Sequence, residues 1–495
     1  MPRSKGAAAR RRKAAAARKA AGPPEAAAAR KAAGPPEAAA ARKAAGPPEA
    51  AAARKAAGPP KAVAVAVPDP DAGRPCPSLS LDVLANIHDR LPFLDRLAFA
   101  SVFGETCYDV FQPGPPCLLL PGKTPETARL FSLADGRAAS AARVPDPAMR
   151  GHVVLGSNRG WIATADESGQ IYLANPTTGA QHALPHIATM GVFLPEKSNT
   201  YRWFSLVIRD LLAARYGAGP PFLHLWGPEG YGTFTHSAAQ MRMWFYRKVV
   251  LSDSPRPGTY AAMLILEASF GAPAFATADD PTWRLAKSPD GVEDAIFHHD
   301  GRFYSVSYTG LVESWERDAE TGQFKSAPAA PRLSLPAVDK GGPPSRKYLA
   351  VAPGGRLAVV LKYADAAKER SYGQEKGRCV FEVRVLGDGG AWEETTEIGE
   401  AALFVGANNS MCVSTKGRPG IMAGCVYYTD DEHGQAALRQ ESRRSSYSYN
   451  DDESADLRGV GVFCLKRGSL KGLELGTHYV SGSWPPPAWI TPSIP

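Results

Sequence analysis

GWIATADESGQIYLANPTTG, Gly160 to Gly179, reads as strand, turn, strand, turn. Trp161–Ala165 and Ile171–Ala174 are short apolar runs, and Asn175-Pro176-Thr177-Thr178-Gly179 carries the residues that turns select. The same order returns at Gly301-Arg302-Phe303-Tyr304-Ser305-Val306-Ser307, then Leu311–Arg317, then Glu320-Thr321-Gly322. A third copy starts at Gly355-Arg356-Leu357-Ala358-Val359-Val360, followed by Val380–Leu386 and Asp388-Gly389-Gly390. The leading glycines lie 141 and 54 residues apart. At about 47 residues per unit, the first gap holds three units and the second holds one with an insertion. That period predicts the blades of a β-propeller, and the strands are too many for a sandwich.

Outward from the repeat, strands are expected all along the chain from Cys117. Among them are Cys117–Leu120, Arg129–Leu133, His152–Leu155, Phe222–Trp226, Trp244–Leu251, Tyr260–Glu267, Val292–His298, Val426–Thr429 and Val460–Leu465. Propellers often close by completing one blade from both chain ends, which removes a sheet edge. The expected closure pairs Cys117–Leu120 with Val460–Leu465. Two polar, charged stretches, 364–377 and 431–458, read as mobile blade insertions.

Upstream, LSLDVLANIHDRLPFLDRLAFASV, Leu79 to Val102, has a different texture. Leu81, Leu84, Ile87 and Leu91 recur at spacings of three, three and four, one stripe of an amphipathic helix. Ser80 stands at the N-cap, Asp82 suits the first turn, and Pro92 ends the helix. Asp95 is placed to cap a second helix containing Leu97, Phe99, Val102 and Phe103. Two helices this short need a partner surface, either the rest of the chain or another protein.

These residues resemble the F-box. Leu79, Asp82, Leu84 and Ile87, then Arg90-Leu91-Pro92 and Asp95-Arg96-Leu97, carry the likeness. Ser80 replaces the family's usual proline, and Phe103-Gly104-Glu105-Thr106 replaces its Cys-x-x-Trp. Further on, Gly156-Ser157 with Gly160-Trp161, Asn175-Pro176 with Gly179, Cys425-Val426-Tyr427-Tyr428-Thr429-Asp430-Asp431 and Trp484-Pro485-Pro486-Pro487-Ala488-Trp489 resemble plant F-box proteins with a KIB-type propeller. The resemblance implies a mainly β chain, with a multi-bladed propeller over 117–495 and a helical F-box-like module at 78–112, and composition adds a disordered basic tail and linker at 1–77. The resemblance also implies that Leu79, Leu81, Leu84, Ile87, Leu91, Pro92 and Leu97 bind the Skp-type adaptor of a cullin ubiquitin ligase, while the propeller binds a protein target.

The charge is uneven. Met1–Lys61 holds 15 Lys and Arg against 3 Glu, whereas the remainder holds 42 against 46. The mildly acidic body therefore speaks against nucleic acid as a partner. Ala14–Lys61 is four copies of AAAARKAAGPPE, the last ending in Lys61, with no apolar stripe to bury. Arg10, Arg11, Arg12, Lys13, Arg18 and Lys19 resemble a nuclear import signal, and a solvated basic tail is the plainer reading. The seven cysteines include no Cys-x-x-Cys and suit free thiols in a reducing compartment. No apolar run approaches the roughly 20 residues of a membrane span. The expectation is a soluble protein, not secreted, of nucleus or cytoplasm.

Catalytic chemistry finds no foothold. Gly122-Lys123-Thr124 lacks the earlier glycine of a phosphate loop, because Cys117 stands there. Gly227–Gly232 lacks dinucleotide spacing. His298-His299-Asp300 is a poor metal site if neighbouring strand residues face opposite ways, and Asp430-Asp431-Glu432-His433 reads as a solvated turn. No catalytic residue, cofactor or metal is expected, and the chain reads as a binding protein rather than an enzyme. Trp203, Trp226, Trp244, Trp283 and Trp315 are either recognition anchors or blade core. The rival to the ligase receptor is a propeller scaffold or nuclear protein whose basic tail contacts a partner or nucleic acid. Fusing Met1–Lys61 to an inert reporter tests the tail. Import predicts nuclear concentration of the reporter, and a cytoplasmic reporter leaves the solvated tail.

Overall fold

The computed structural model describes residues 80–102, 114–121, 128–140, 152–194, 203–217, 232–253, 255, 258–268, 270–335, 344–364, 379–434, 437, 459–473, 475 and 485–492. They fall in one compact unit, Cys76–Pro495. Helices α1, Leu81–Arg90, and α2, Phe93–Val102, precede the strands. Among the described residues the strands form six blades and one two-stranded ribbon. Blade 1 orders Ala488–Ile490, Cys117–Pro121, Ala128–Ser132 and Arg137–Ser140. Blade 2 is Val153–Asn158, Trp161–Ala165, Ile171–Ala174 and Gln181–Ala183. Blade 3 runs Tyr246–Leu251, Ala261–Leu266, Pro273–Thr277 and Asp280–Leu285; blade 4 runs Val292–Phe297, Phe303–Ser307, Val312–Arg317 and Phe324–Ala330. Blade 5 is Arg346–Val351, Leu357–Ala364, Cys379–Leu386 and Trp392–Thr395. Blade 6 orders Met411–Ser414, Ala401–Val405, Cys425–Thr429, Val460–Cys464 and Ser469–Gly472, with the second and third strands parallel.

The sequence repeat is a repeat of turns. Asn158 pairs with Trp161, leaving Arg159 and Gly160 as a two-residue hairpin with φ of 43° and 83°. Positive φ at both positions suits the right-handed strand twist, and glycine adopts it without steric cost. In blade 2 the Asn175 side chain accepts from the amides of Thr177 and Thr178 (2.9 and 3.2 Å). Asp318 does the same in blade 4 for Glu320 and Thr321 (3.1 and 2.9 Å). Both turns join the third and fourth strands of their blades.

Consecutive blades bury apolar faces against each other. Leu173 and Leu264 share one buried core between blades 2 and 3, and Phe275 meets Phe303 and Trp315 between blades 3 and 4. Val306 packs with Leu349 and Val359, and Phe381 with Leu403 and Tyr428. Phe404 and Tyr427 of blade 6 pack on Leu118 and Trp489 of blade 1, and Leu119 and Ile490 pack on Val154 and Ile162 of blade 2. The series returns to its start, so the blades form a closed ring.

Closure differs from the expectation. The strand beside Cys117–Leu119 is Ala488–Ile490, in the register Cys117↔Ile490, Leu118↔Trp489, Leu119↔Ala488. Val460–Cys464 instead pairs with Cys425–Thr429 inside blade 6. Three residues after a proline run give almost no strand signal of their own. The gap from Gly160 to Gly301 also spans two blade steps rather than three. An insertion fills it, comprising Ile187–Met190, the ribbon of Trp203–Val207 with Thr233–Ser237, and helix α3, Ile208–Tyr216. Trp244 lies in the helical turn Met241–Phe245, before the strand proper. Phe222–Trp226 lies outside the described residues, as do Met1–Leu79 and most of both expected insertions.

Trp489 is fully buried at the closure. Trp489→Ala should cost about 3–5 kcal/mol, seen as a lower urea midpoint. Deleting 485–495 should remove the cooperative melt of the whole body. A truncated chain melting cooperatively at the original midpoint would contradict the closure.

Candidate functional site

The helical hairpin is pinned to blade 1. Leu91 ends α1 in extended geometry, as the residue before Pro92 must. The first amides of α2, those of Phe93 and Leu94, donate to the Asp135 carboxylate (3.1 and 2.9 Å). Asp135 belongs to the turn between Ala128–Ser132 and Arg137–Ser140, so α2 takes its N-terminal cap from a blade. Asp95, expected to be that cap, accepts from Arg137 instead (2.9 Å). Ser80 occupies the N-cap position of α1, but its side chain makes no cap hydrogen bond. Phe93, Leu94 and Leu97 pack into the core between blades 1 and 2.

This anchoring divides the expected adaptor set. Leu84 and Leu97 are buried within the chain, so neither is free to meet an adaptor. Leu91 is half-buried, Pro92 is exposed, and Leu79 lies outside the described residues. Leu81 is 55% exposed, Val83 43% and Ile87 36%. Val83 and Ile87 are four apart and share a helix face. Val83 was invisible to the leucine stripe because it falls between its positions.

A second surface opens where the inner strands of blades 3, 4 and 5 begin. A cavity of about 480 Å³ is lined there by Trp244, Arg247, Glu293, Tyr308, Lys347 and Asp431, among others. Buried ion pairs join the blades here, and those of Glu293 with Lys347 and Arg346 with Asp431 line the cavity. Lys248 of blade 3 meets Asp294 of blade 4 (2.5 Å). The other Asp294 oxygen accepts from the Leu349 amide of blade 5 (2.8 Å) and the Ser410 hydroxyl (3.3 Å). Glu293 takes the Lys347 ammonium (2.5 Å) and the Lys347 amide (3.0 Å). Arg346 pairs with Asp431, whose other oxygen accepts from Tyr348 (3.2 Å). Asp430, Asp431 and His433 are therefore buried, not a solvated turn, because Arg346 reaches Asp431 from blade 5.

The loop Gly406–Ser410 crosses the ring from blade 6. Asn409 donates its amide hydrogens toward the Leu251 carbonyl of blade 3 (3.4 Å) and, from the backbone, toward Ser157 of blade 2 (3.3 Å). Gly406 has φ of 141°, and a Cβ there would sit 2.0 Å from the Thr429 hydroxyl oxygen. Only glycine lets the loop leave its strand at that point.

Burial pushes Glu293 up to about 7 against the pull of Lys347. Burial also raises Asp294, despite Lys248. For Asp431 burial is overcome by Arg346, which holds the carboxyl down at about 2. Burial lowers His433 to about 4, so its imidazole is neutral at neutral pH. These buried charges are largely matched within the protein. What a partner can gain lies on the walls, where Met243, Trp244, Tyr308, Leu335 and Pro344 offer apolar and aromatic surface.

The remaining candidates sort by burial. Trp283 and Trp315 are core, Trp203 is exposed on the ribbon, Trp244 is half-buried at the cavity, and Trp226 lies outside the described residues. His298 and His299 stand in a turn, not on a strand, with ring centroids 3.8 Å apart, and His298 contacts Asp300 (3.1 Å). Among the described residues no group of three or more His, Cys, Asp or Glu is placed to hold a metal. No helix among them is long and apolar enough to cross a membrane. Gly122-Lys123-Thr124 and the basic residues Arg10 to Lys19 lie outside the described residues.

The KIB1-4 beta-propeller family model matches residues 130–463. An Arabidopsis thaliana protein provisionally named as an F-box protein is 25% identical over 224 residues, 44% of this chain and 54% of that relative. The chain thus spans about half the length of the curated relative it matches. The Dos1 propeller superposes with a TM-score of 0.28 at 10% identity, covering 57% of this chain and 65% of the other. The Myceliophteria thermophila Cps50 (Swd1) propeller gives 0.27 at 13% identity, covering 54% and 66%. Scores this low carry no argument here.

The buried Glu293 predicts a pH signature. Its folded-state value near 7 lies above the ordinary 4.5, so between them the folded chain holds a proton that the unfolded chain has lost. Its contribution to stability is therefore full below 4.5 and lost as pH rises through 7. Glu293→Gln should remove a slope of at most about 1.4 kcal/mol per pH unit. Urea titrations of both proteins across this range check it, and parallel profiles would refute it. Lys347, Arg247 and Asp294 surround the group and stay in place in both proteins.

Proposed function

This chain belongs to the KIB1-4 β-propeller family, and from that premise we propose that it is the target-recognition subunit of a cullin ubiquitin ligase. The observation that carries the reading is the pair Val83 and Ile87, exposed together on one face of α1 with Leu81 exposed at its start, on a hairpin fixed to the ring. Exposed apolar side chains grouped on one short helix suit a partner surface. The F-box-named relative supports the same role. In this reading α1 docks a Skp-type adaptor within the cullin complex, and the aromatic cavity holds an unidentified protein target. The chain catalyses no step itself. It raises the effective concentration of target lysines near the charged ubiquitin carrier. It would act in nucleus or cytoplasm.

One observation favours a second reading. Leu84 and Leu97 are buried in the chain and Asp135 caps α2, as a purely structural hairpin would have it. In that case the propeller is a scaffold and the basic tail or the cavity carries the partner.

Leu81→Asp with Ile87→Asp separates the two. Each docked side chain contributes roughly 1.5–3 kcal/mol, so adaptor affinity should fall by more than about a hundredfold. Because both positions are exposed, the thermal melt should be unchanged. Leu84→Asp, by contrast, should lower the melt itself, since it buries a charge. A wild-type chain that retains no adaptor on co-purification would leave the scaffold.

A further inference from the structure

We propose that Cys425 and Cys464 form an oxidation site in blade 6, closing to a disulfide when the chain meets hydrogen peroxide. Cys425, in Cys425–Thr429, lies directly opposite Cys464, in Val460–Cys464, on antiparallel strands. The Leu465 amide donates to the Gly424 carbonyl (3.0 Å), and the Asp430 amide donates to the Gly459 carbonyl (2.7 Å). Bonded pairs alternate along such a ladder, so Cys425 and Cys464 occupy a non-bonded position. There the α-carbons approach to about 4.5 Å and the side chains stand closest. That spacing lies within the range a disulfide spans, about 4.4–6.8 Å. The Cys425 thiol donates to the Ala423 carbonyl (3.5 Å). Among the described cysteines this juxtaposition is particular to the pair: Cys117 faces Ser132 and Ile490, Cys379 faces Ala364, and Cys412 faces Leu403.

The two sulfurs differ in access. Cys425 is buried, whereas Cys464 is only partly buried. Burial, and then the neighbouring Cys464, push the Cys425 thiol up to about 11, so the first attack falls on Cys464. The Cys464 thiolate displaces hydroxide from hydrogen peroxide and becomes a sulfenic acid. The Cys425 sulfur then attacks the Cys464 sulfur, and the sulfenic oxygen leaves as water. In sum, two thiols and one peroxide give one disulfide and two waters. Both sulfurs are oxidised, the peroxide is reduced, and the thiol protons end in water. The link closes at the base of the strand that runs on to Asp431 at the cavity.

The test treats the full chain with hydrogen peroxide, blocks remaining thiols with N-ethylmaleimide, and digests with trypsin. The expected product joins the peptide of residues 417–439 to that of 459–466, two hydrogens lighter than the pair, and reduction separates them. Cys464→Ser should abolish the product and leave Cys425 open to alkylation, whereas Cys412→Ser should preserve it. Recovery of both cysteines as alkylated thiols after peroxide would overturn the site. So would Cys464 ending as a sulfinic acid without the link, or Cys425 joined to a different cysteine.

Discussion

The ring depends on three residue pairs, in which Ala488–Ile490 lies antiparallel to Cys117–Leu119. Without them blade 1 would present an open inner edge, and blades 1, 2 and 6 would lose their shared packing on Trp489 and Ile490. An open edge is a site for unwanted pairing, so closure serves solubility as well as stability. The Ser157 hydroxyl of blade 2 donates to the Trp489 carbonyl (2.5 Å), tying the closing strand to the next blade as well. Strain or truncation at the last residues is therefore felt far away in sequence.

The same ring makes the buried ion pairs possible. Lys248, Asp294, Glu293, Lys347, Arg346 and Asp431 are each nearly removed from water. Buried charges are tolerable only when paired with good geometry and extra hydrogen bonds. Here each carboxylate also accepts from an amide or hydroxyl of another blade: Asp294 from Leu349, Glu293 from Lys347, Asp431 from Tyr348. These pairs fix the register of blades 3 to 6 around the cavity more than they add stability. A cavity built on them keeps its shape.

Much of this could be read from the chain. The glycine-led hairpins and the turns at Asn175 and at Glu320-Thr321-Gly322 announced blades, because positive φ and side-chain-capped turns leave strong residue signatures. The inner and second strands were legible as apolar runs, since they are buried on both faces, as in Trp161–Ala165. The outer strands were not. Gln181–Ala183 is three residues long, and Phe324–Ala330 is a partly exposed run of small residues broken by a proline, so no strong apolar pattern marks them. The pairing of Arg346 with Asp431 joins residues 85 apart, and no local pattern encodes it. The hairpin was found by its stripe, yet the stripe could not say which leucines the chain keeps for itself. That depended on Asp135, a residue 41 positions downstream of Leu94.

The central claim is that α1 is a docking helix on an intact ring. Hydrogen exchange on the full chain, with and without a purified Skp-type adaptor, tests it most directly. The account predicts new protection of the Leu81–Arg90 amides when adaptor is added, with the amides of blade 1 unchanged. No change in that helix would contradict the account, and so would loss of protection in Cys117–Pro121, which would mean that the hairpin must leave the ring to bind.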